Sequence, residues 1–171
     1  MLTTQLVSLK KIIGYCLVLF SLLLFASQSD AQTSTDFSGT WTLDNAKSDA
    51  AFKDYKLIRS IVQTPAAITI EDTFFKKSGE KNASMANAYT LDGKETSQEK
   101  YGGLDKKYTK WSPDKKVLTI TETRTVGKNV YGSNQILEMS DNGQVLTVTT
   151  TDVDPSNHTA SIRVFNKQKQ P

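Results

Sequence analysis

Three charged residues interrupt regular alternations of apolar and polar residues, and these are the side chains of the sequence best placed for chemistry. Asp72 ends one alternation, while Glu122 and Arg124 end another. Because successive side chains of a strand point to opposite faces, all three are predicted to point towards the interior of the fold. Buried charges are costly unless they are paired or solvated. The pattern therefore predicts either a partly hydrated cavity or a β-bulge that reverses the alternation.

The residue types give little support for a catalytic site. His158 is the single histidine and Cys16 the single cysteine, so neither a histidine-based triad nor a zinc site has its usual side chains. The sequence therefore predicts no metal site, no cofactor and no catalytic residue. An inward pair such as Asp72 and Glu122 still leaves a small enzyme with an Asp/Glu/Arg cluster as one alternative.

Short strands are the elements that would position these side chains. The runs are rich in Thr, Val, Ile, Tyr and Phe and alternate with short turns containing Asn, Asp, Gly or Pro, which favours an antiparallel meander. The sequence predicts an all-β fold, an antiparallel up-and-down β-barrel of about 8–10 strands, with a β-sandwich as the alternative. The exception is 45–55, a predicted short helix capped by Ser48 or Asp49. The predicted strands are 38–43, 57–64, 67–75, 83–91, 95–101, 106–111, 116–126, 130–140, 144–153 and 159–166.

Residues 1–31 have the features of a cleavable signal peptide. Two lysines precede the apolar run 12–26, and Ser29 and Ala31 fit the −3 and −1 positions of a cleavage site. The run is shorter than the roughly 18 apolar residues typical of a membrane span. We therefore expect export to the periplasm or the cell exterior, with no stable membrane anchor after cleavage, and a single domain at 32–171. That domain has no cysteine, so its stability must come from a packed core.

The charge of the chain argues against nucleic acid as a partner. The 21 basic and 18 acidic residues give a net charge of +3. Basic and acidic residues are interspersed, whereas nucleic-acid-binding surfaces concentrate Lys and Arg in a patch.

The segment 37–43, Phe-Ser-Gly-Thr-Trp-Thr-Leu, resembles the opening strand of the calycin superfamily, which includes the lipocalins and the fatty-acid-binding proteins. Both families begin with glycine, any residue and tryptophan. The glycine lets the chain bend at the base of the barrel and the indole closes that end. The resemblance implies that Gly39 and Trp41 close the barrel, and it points to a bacterial, secreted, lipocalin-like domain.

The segment 162–167 resembles the final strand of fatty-acid-binding proteins. There, an arginine and a tyrosine two positions apart face the cavity and bind a carboxylate. Arg163 matches the arginine, whereas Phe165 occupies the tyrosine position and lacks the hydroxyl group. In lipocalins a late arginine instead packs over the first tryptophan, so the resemblance also implies a barrel-closing cation–π contact of Arg163 with Trp41.

The resulting expectation is an exported lipocalin-like protein that binds a small hydrophobic or amphipathic molecule in its barrel. One alternative is a protein-interaction or structural domain of the cell envelope with a filled core. The other is the small enzyme mentioned above. Either Arg124 or Arg163 would hold an acidic head group. The predicted ligand-binding residues are Arg124, Arg163, Ile68, Ile70, Phe74, Leu118, Ile120 and Glu122.

Overall fold

The computed structural model describes residues 33–153 and 160–169. The predicted signal peptide and His158 lie outside these residues. Ten strands and one 3₁₀ turn, Ala50–Phe52, make up the regular structure of the described chain. The strands are β1 (Gly39–Leu43), β2 (Lys56–Gln63), β3 (Ala67–Phe75), β4 (Lys81–Thr90), β5 (Thr96–Lys100), β6 (Gly103–Trp111), β7 (Val117–Val126), β8 (Asn129–Met139), β9 (Val145–Asp152) and β10 (Ala160–Lys167).

All neighbouring strands are antiparallel, in the order β4-β3-β2-β1-β10-β9-β8-β7-β6-β5. The first and last strands pair in the middle of this order, with Leu43 opposite Phe165, so all ten strands belong to one sheet. This sheet curls into a barrel, and the sandwich alternative is wrong. Strands β4 and β5 form the two edges of the sheet. Side chains of β6, the strand next to β5, reach across to β4. Thr109 Oγ1, for example, donates to the carbonyl oxygen of Thr90 at 2.7 Å.

The segment between β1 and β2 corrects the prediction of a capped helix. It contains a single 3₁₀ turn, and Asp49 precedes this turn without capping it through its side chain. The Asp49 carboxylate instead accepts a hydrogen bond from the backbone N–H of Ile162 at 2.6 Å, and Ser48 Oγ accepts one from Val164 N–H at 2.9 Å. These backbone groups of β10 lie beyond the end of β1, where buried peptide groups still need partners.

The apolar core lies inside the barrel. Trp41 is completely buried, and its indole Nε1 donates to the carbonyl oxygen of Phe37 at 3.1 Å. Phe37 in turn stacks on Trp111, with ring centroids 6.0 Å apart. No helix within the described residues is both long and apolar enough to span a membrane. The other core residues are Leu43, Leu57, Ile61, Ile68, Ile70, Tyr89, Leu118, Ile120, Leu137, Leu146, Val148 and Phe165.

Candidate functional site

On β7 the inward-facing side chains change from apolar to polar along the strand. On β7 the fully buried Leu118 and Ile120 are followed at the same parity by Glu122 and Arg124, which are partly exposed. The register of β7 with both of its neighbours is continuous through these residues. The β-bulge alternative is therefore wrong for β7, and the charges face the interior as the alternation predicted. We call the polar end of the interior the mouth and the apolar end the base.

The most buried charges form a group that we call the arginine site, Arg59, Asp72 and Arg163. Arg59 Nε and Nη2 donate to the two carboxylate oxygens of Asp72 at 2.7 and 2.6 Å. Arg163 Nη1 lies 3.9 Å from Asp72 Oδ2, and its Nη2 donates to Thr150 Oγ1 at 3.1 Å. The side chains are 2%, 13% and 14% exposed, in the order Arg59, Asp72, Arg163. Two guanidinium groups thus share one carboxylate in a nearly dry environment.

The arginine site retains an excess of positive charge. Burial and the neighbouring charge of Arg59 lower the pKa of Arg163 to about 10, against the opposing effect of Asp72. Arg59 Nη1 and Arg163 Nε are buried and have no hydrogen-bond partner among the described residues. Buried polar nitrogens are normally paired, so these two can donate to an acceptor that the described residues do not supply.

Aromatic rings cover this site. The Arg59 guanidinium lies 5.1 Å from the ring centroid of Phe165, and that of Arg163 lies 5.8 Å from Phe52. The ammonium nitrogen of Lys167 lies 5.1 Å from the ring centroid of Trp41. The predicted cation–π contact of Arg163 with Trp41 is therefore wrong. The register explains this, because Trp41 stands opposite Lys167 in the pairing of β1 with β10.

A second polar group, the lysine cluster, consists of Asn87, Tyr89, Lys107 and Glu122. Lys107 Nζ lies 2.8 Å from Glu122 Oε1 and donates to Asn87 Oδ1 at 2.9 Å. Burial raises the pKa of the Tyr89 phenol above its ordinary value of 10, and the charge of Glu122 and a hydrogen bond to it add to the effect. The charges of Arg59 and Asp72 also act on this phenol, so the lysine cluster and the arginine site lie near each other inside the barrel.

Arg124 occupies a different position from Arg163. Its Nη1 pairs with Asp105 at 2.8 Å, and its Nη2 donates to the backbone carbonyls of Lys100 and Tyr101. About a third of the side chain is exposed. Arg124 therefore ties β7 to the turn between β5 and β6, and its donors are largely used.

Open space in the interior lies on both sides of Lys107 and Asp105. A pocket of about 340 Å³ towards the mouth is lined by Glu122, Arg124 and Tyr131, among others. A second, of about 630 Å³, lies at the gap between the two edge strands, and its lining residues are Asn87, Ala88, Thr96, Ser97, Gln98, Lys100, Asp105 and Lys107. Most of the lining residues of both pockets are polar or charged, but carbon atoms supply the larger part of the surface of the smaller pocket, and polar atoms supply the larger part of that of the larger one.

The residues predicted to contact a ligand are divided between these environments. Ile68, Leu118 and Ile120 are fully buried and Ile70 nearly so, all within the packed core. Phe74 is only partly buried and packs against the edge of the core. Ile70 and Phe74 each lie two residues from Asp72 on the same face of β3, so both adjoin the arginine site, and Phe74 is the more exposed of the two.

Arg59 and Lys107 are the important residues that the sequence analysis missed. Arg59 lies between Leu57 and Ile61 at the same parity, in a strand whose location was predicted. The alternation that identified Asp72 and Glu122 is therefore also present around Arg59. Lys107 shares its face of β6 with Asp105, Thr109 and Trp111, of which only Trp111 is apolar, so no apolar alternation marks Lys107. Among the described residues, no three His, Cys, Asp or Glu side chains are grouped as metal ligands.

Solved structures with the same fold include three small binding proteins. A fatty acid transporter, REP1-NXSQ, has a TM-score of 0.52 and 14% identity, covering 80% of this chain and 98% of its own. Zebrafish ileal bile acid-binding protein complexed with cholic acid gives 0.50 and 22%, covering 77% and 98%. Human cRBP IV gives 0.50 and 18%, covering 78% and 99%. No protein-family model and no curated protein matches the chain. The chain therefore shares the antiparallel β-barrel fold of these proteins, which confirms the predicted all-β barrel of about 8–10 strands.

Proposed function

We propose that this protein binds a small amphipathic acid inside its barrel, with the acidic group held at the arginine site. The observation that carries this proposal is the pair of unsatisfied, buried guanidinium nitrogens on Arg59 and Arg163. A carboxylate there would accept charge-assisted hydrogen bonds, which are stronger than neutral ones. It would also offset the mutual repulsion of the two arginines.

Apolar surface beside the arginine site supports an amphipathic ligand over a simple inorganic anion. Phe52 and Phe74 are partly buried next to the core, and Met85, which stands opposite Asp72 in the register of β3 with β4, is 58% exposed. Burying apolar surface contributes roughly 25 cal/mol per Å². The structural neighbours named as fatty acid and bile acid proteins add support for a small hydrophobic ligand.

Of the two arginines expected to hold the head group, the geometry favours Arg163. Arg163 has a buried nitrogen without a partner in the described part of the chain, whereas the Nη1 and Nη2 of Arg124 are bound to Asp105 and to two backbone carbonyls. Phe165, at the position of the family's tyrosine, supplies a ring against Arg59 instead of a hydroxyl group.

Isothermal titration calorimetry with dodecanoate and with dodecanol tests the proposal. We expect dodecanoate to bind, and Arg163→Met to weaken its binding by about 10- to 100-fold, since hydrogen bonds to charged groups contribute about 1.5–3 kcal/mol. Dodecanol, which has no charge, should be affected much less. Arg163 is the residue to change because Asp72 then keeps its bidentate partner.

Arg124→Met and Lys167→Met serve as matched controls, because each removes one cation from elsewhere in the barrel. They should leave the affinity for dodecanoate within about threefold, the scatter of indirect effects at distant sites. A loss of affinity confined to Arg124→Met would indicate that the head group binds near the mouth instead. Equal losses in all three variants would show only a general dependence on net charge.

We also propose that residues 1–31 direct export and are removed. The two lysines, the apolar run and the small residues that end it support this. Mass spectrometry of the protein recovered from the envelope or the medium should give a chain that begins at Gln32. A chain that retains the apolar run would contradict cleavage.

The packed base favours the second candidate function, a protein-interaction domain with a filled core. Residues such as Trp41, Leu118 and Phe165 are fully buried there. Native mass spectrometry separates the two functions. A bound small molecule that solvent extraction removes supports the carrier, whereas stoichiometric capture of an envelope protein by a chain free of small molecules supports the interaction domain.

A further inference from the structure

The barrel is open along one seam, where the two edge strands of its sheet face a common opening. Each of these strands pairs with a single neighbour, β4 with β3 and β5 with β6. Towards the base, side chains of β6 reach β4: Thr109 Oγ1 donates to the carbonyl oxygen of Thr90, and Lys107 Nζ donates to Asn87 Oδ1. From Asn87 towards the mouth, the outer backbone groups of β4 and β5 have no strand to pair with among the described residues.

Both free edges border the opening of about 630 Å³. β4 lines this opening with Asn87 and Ala88, and β5 lines it with Thr96, Ser97, Gln98 and Lys100. The five residues of β5 present an edge of about 17 Å, at about 3.3 Å per residue. Free edges of this kind bind a further extended chain through backbone hydrogen bonds. An opening with such an edge on each side can therefore take a strand of about five residues.

Little on β4 protects its free edge. Sheets commonly block their edges with prolines, with charged side chains or with bulges along the strand. β4 has ten residues and no proline, and its one charged residue, Lys81, is the first. The irregularity in its register with β3 lies at the same end, at Phe74 and Phe75. The residues from Ala83 to Thr90 therefore leave a regular, uncharged edge available for pairing.

The charges at the opening favour an acidic segment. Asp105 and Lys107, which line the opening, already have partners of opposite charge. Lys100 forms no ion pair among the described residues, and its ammonium nitrogen lies 5.0 Å from the ring centroid of Tyr101. Lys100 shares one face of β5 with Gln98, which stands opposite the inward-facing Asp105. An inward-pointing carboxylate on an inserted strand would thus meet a cation that has no counter-charge.

We propose that the seam between β4 and β5 binds an extended, acidic peptide segment of another protein, which enters as an eleventh strand with a carboxylate directed to Lys100. The ten strands alternate in direction, so β4 and β5 run in opposite directions. The bound segment is therefore antiparallel to one edge and parallel to the other. The site uses no residue of the arginine site, so it does not depend on the proposed function.

Hydrogen exchange followed by mass spectrometry tests the site, with the blocked peptide acetyl-Val-Glu-Val-Glu-Val-amide as the probe. In an extended conformation its glutamates share one face and its valines, which favour strands, share the other. At saturation, we expect the peptide to slow exchange of the exposed backbone amides in 83–88 and in 96–100 by about tenfold or more. Amides of β8, which has a neighbouring strand on each side, should not change and serve as the internal control.

Two N-methylated forms of the peptide test for pairing on both sides. Successive N–H groups of a strand point to opposite neighbours. N-methylation of the two glutamates therefore removes the donors to one edge, and N-methylation of two valines removes those to the other. Each form keeps its side chains and should bind at least about tenfold more weakly, because it loses two backbone hydrogen bonds. Unchanged binding of either form would refute insertion between the two edges.

Lys100→Glu tests the selection of acidic segments. Arg124 binds the backbone carbonyl of Lys100, so this contact survives the substitution. The unmodified protein should prefer the glutamate peptide over acetyl-Val-Lys-Val-Lys-Val-amide by about two- to fivefold, as expected of an exposed ion pair, and the variant should prefer the lysine peptide. Lys110→Glu is the matched control, because this exposed lysine lies on the outer face of β6, and it should keep the original preference.

Each outcome decides the proposal. Protection of both edges, with a charge preference that Lys100→Glu reverses, supports it. No protection at millimolar peptide, or protection of one edge alone, overturns it. Protection that rises with protein concentration in the absence of peptide would assign the seam to a second copy of this chain, which also overturns it. If Lys100→Glu still prefers the glutamate peptide, the selection of acidic segments by Lys100 is wrong.

Discussion

Neutralising Asp72 should destabilise the protein more than neutralising any carboxylate at its surface. Asp72 is 13% exposed and binds Arg59, which is 2% exposed, through two hydrogen bonds of 2.6–2.7 Å. Arg163 lies 3.9 Å from the same carboxylate. Asp72→Asn would leave two buried guanidinium groups without a counter-charge. Removing one partner of a buried ion pair costs about 3–5 kcal/mol, which for a domain of this size lowers Tm by about 10–20 °C.

Urea unfolding followed by tryptophan fluorescence measures this cost, because Trp41 is completely buried in the folded state. Asp105→Asn is the control: it removes the same charge from the ion pair with Arg124, whose members are 33% and 28% exposed. Exposed pairs contribute about 0–1 kcal/mol. Arg59→Met combined with Asp72→Leu should restore part of the loss, since it replaces the Arg59–Asp72 pair with apolar groups and leaves Arg163 as the one guanidinium of the site without a counter-charge.

The reasoning would be refuted if Asp72→Asn and Asp105→Asn had the same effect, or if the double variant were less stable than Asp72→Asn alone. A further test links stability to function. Asp72→Asn leaves the excess positive charge unopposed, so an anion such as dodecanoate should raise its Tm more than that of the unmodified protein.

Three other changes have defined outcomes. The folded state raises the pKa of Tyr89, so the stability linked to this phenol is fully present below about pH 10 and falls above it, where only the unfolded chain ionises the phenol. Measured by urea titration, the free energy of unfolding of Tyr89→Phe should fall less steeply above about pH 10 than that of the unmodified protein, by up to about 1.4 kcal/mol per pH unit. Parallel curves would contradict this. Gly132→Ala would place a Cβ 2.1 Å from the carbonyl oxygen of Glu122, whereas Gly127→Ala meets open space. Scanning calorimetry should show that the free energy of unfolding falls by about 2–4 kcal/mol for Gly132→Ala and by about 1 kcal/mol for Gly127→Ala. Phe52→Ala removes the ring over the arginine site and should speed both association and dissociation of dodecanoate in stopped-flow measurements, while unchanged rates would show that this ring does not cover the route to the site.

Much of the fold could be predicted because strand and turn chemistry are local. The run 67–75 matches β3 in full, and the strand that contains Glu122 and Arg124 differs by one residue at its start. The segment 45–55 was misjudged because Ser48 and Asp49 have the side chains of helix caps. Tertiary partners decided otherwise, since the free N–H groups of β10 take those oxygens.

The site was harder to predict because it depends on which strands pair and in what register. Periodicity indicated that Asp72 points inward, but only the alignment of β2 with β3 places Arg59 opposite it. The resemblance to fatty-acid-binding proteins identified Arg163. The cation on Trp41 is nevertheless Lys167, because the register of β1 with β10 puts those two opposite each other. Neither pairing can be read from one strand by itself.

The chain has no cysteine after residue 16, so no disulfide can offset the cost of the charges inside the barrel. The apolar base of the interior supplies the stability that these charges require. The base buries a continuous set of large apolar residues, from Trp41 to Phe165, and this burial offsets the cost of desolvating ions near the mouth. Substitutions in the base should therefore act mainly on stability. At the lysine cluster, whose charges are paired and partly exposed, substitutions should cost less stability than at the arginine site. The arginine site should affect both stability and ligand binding, because its charges are buried and Arg59 and Arg163 each have a buried nitrogen without a partner among the described residues.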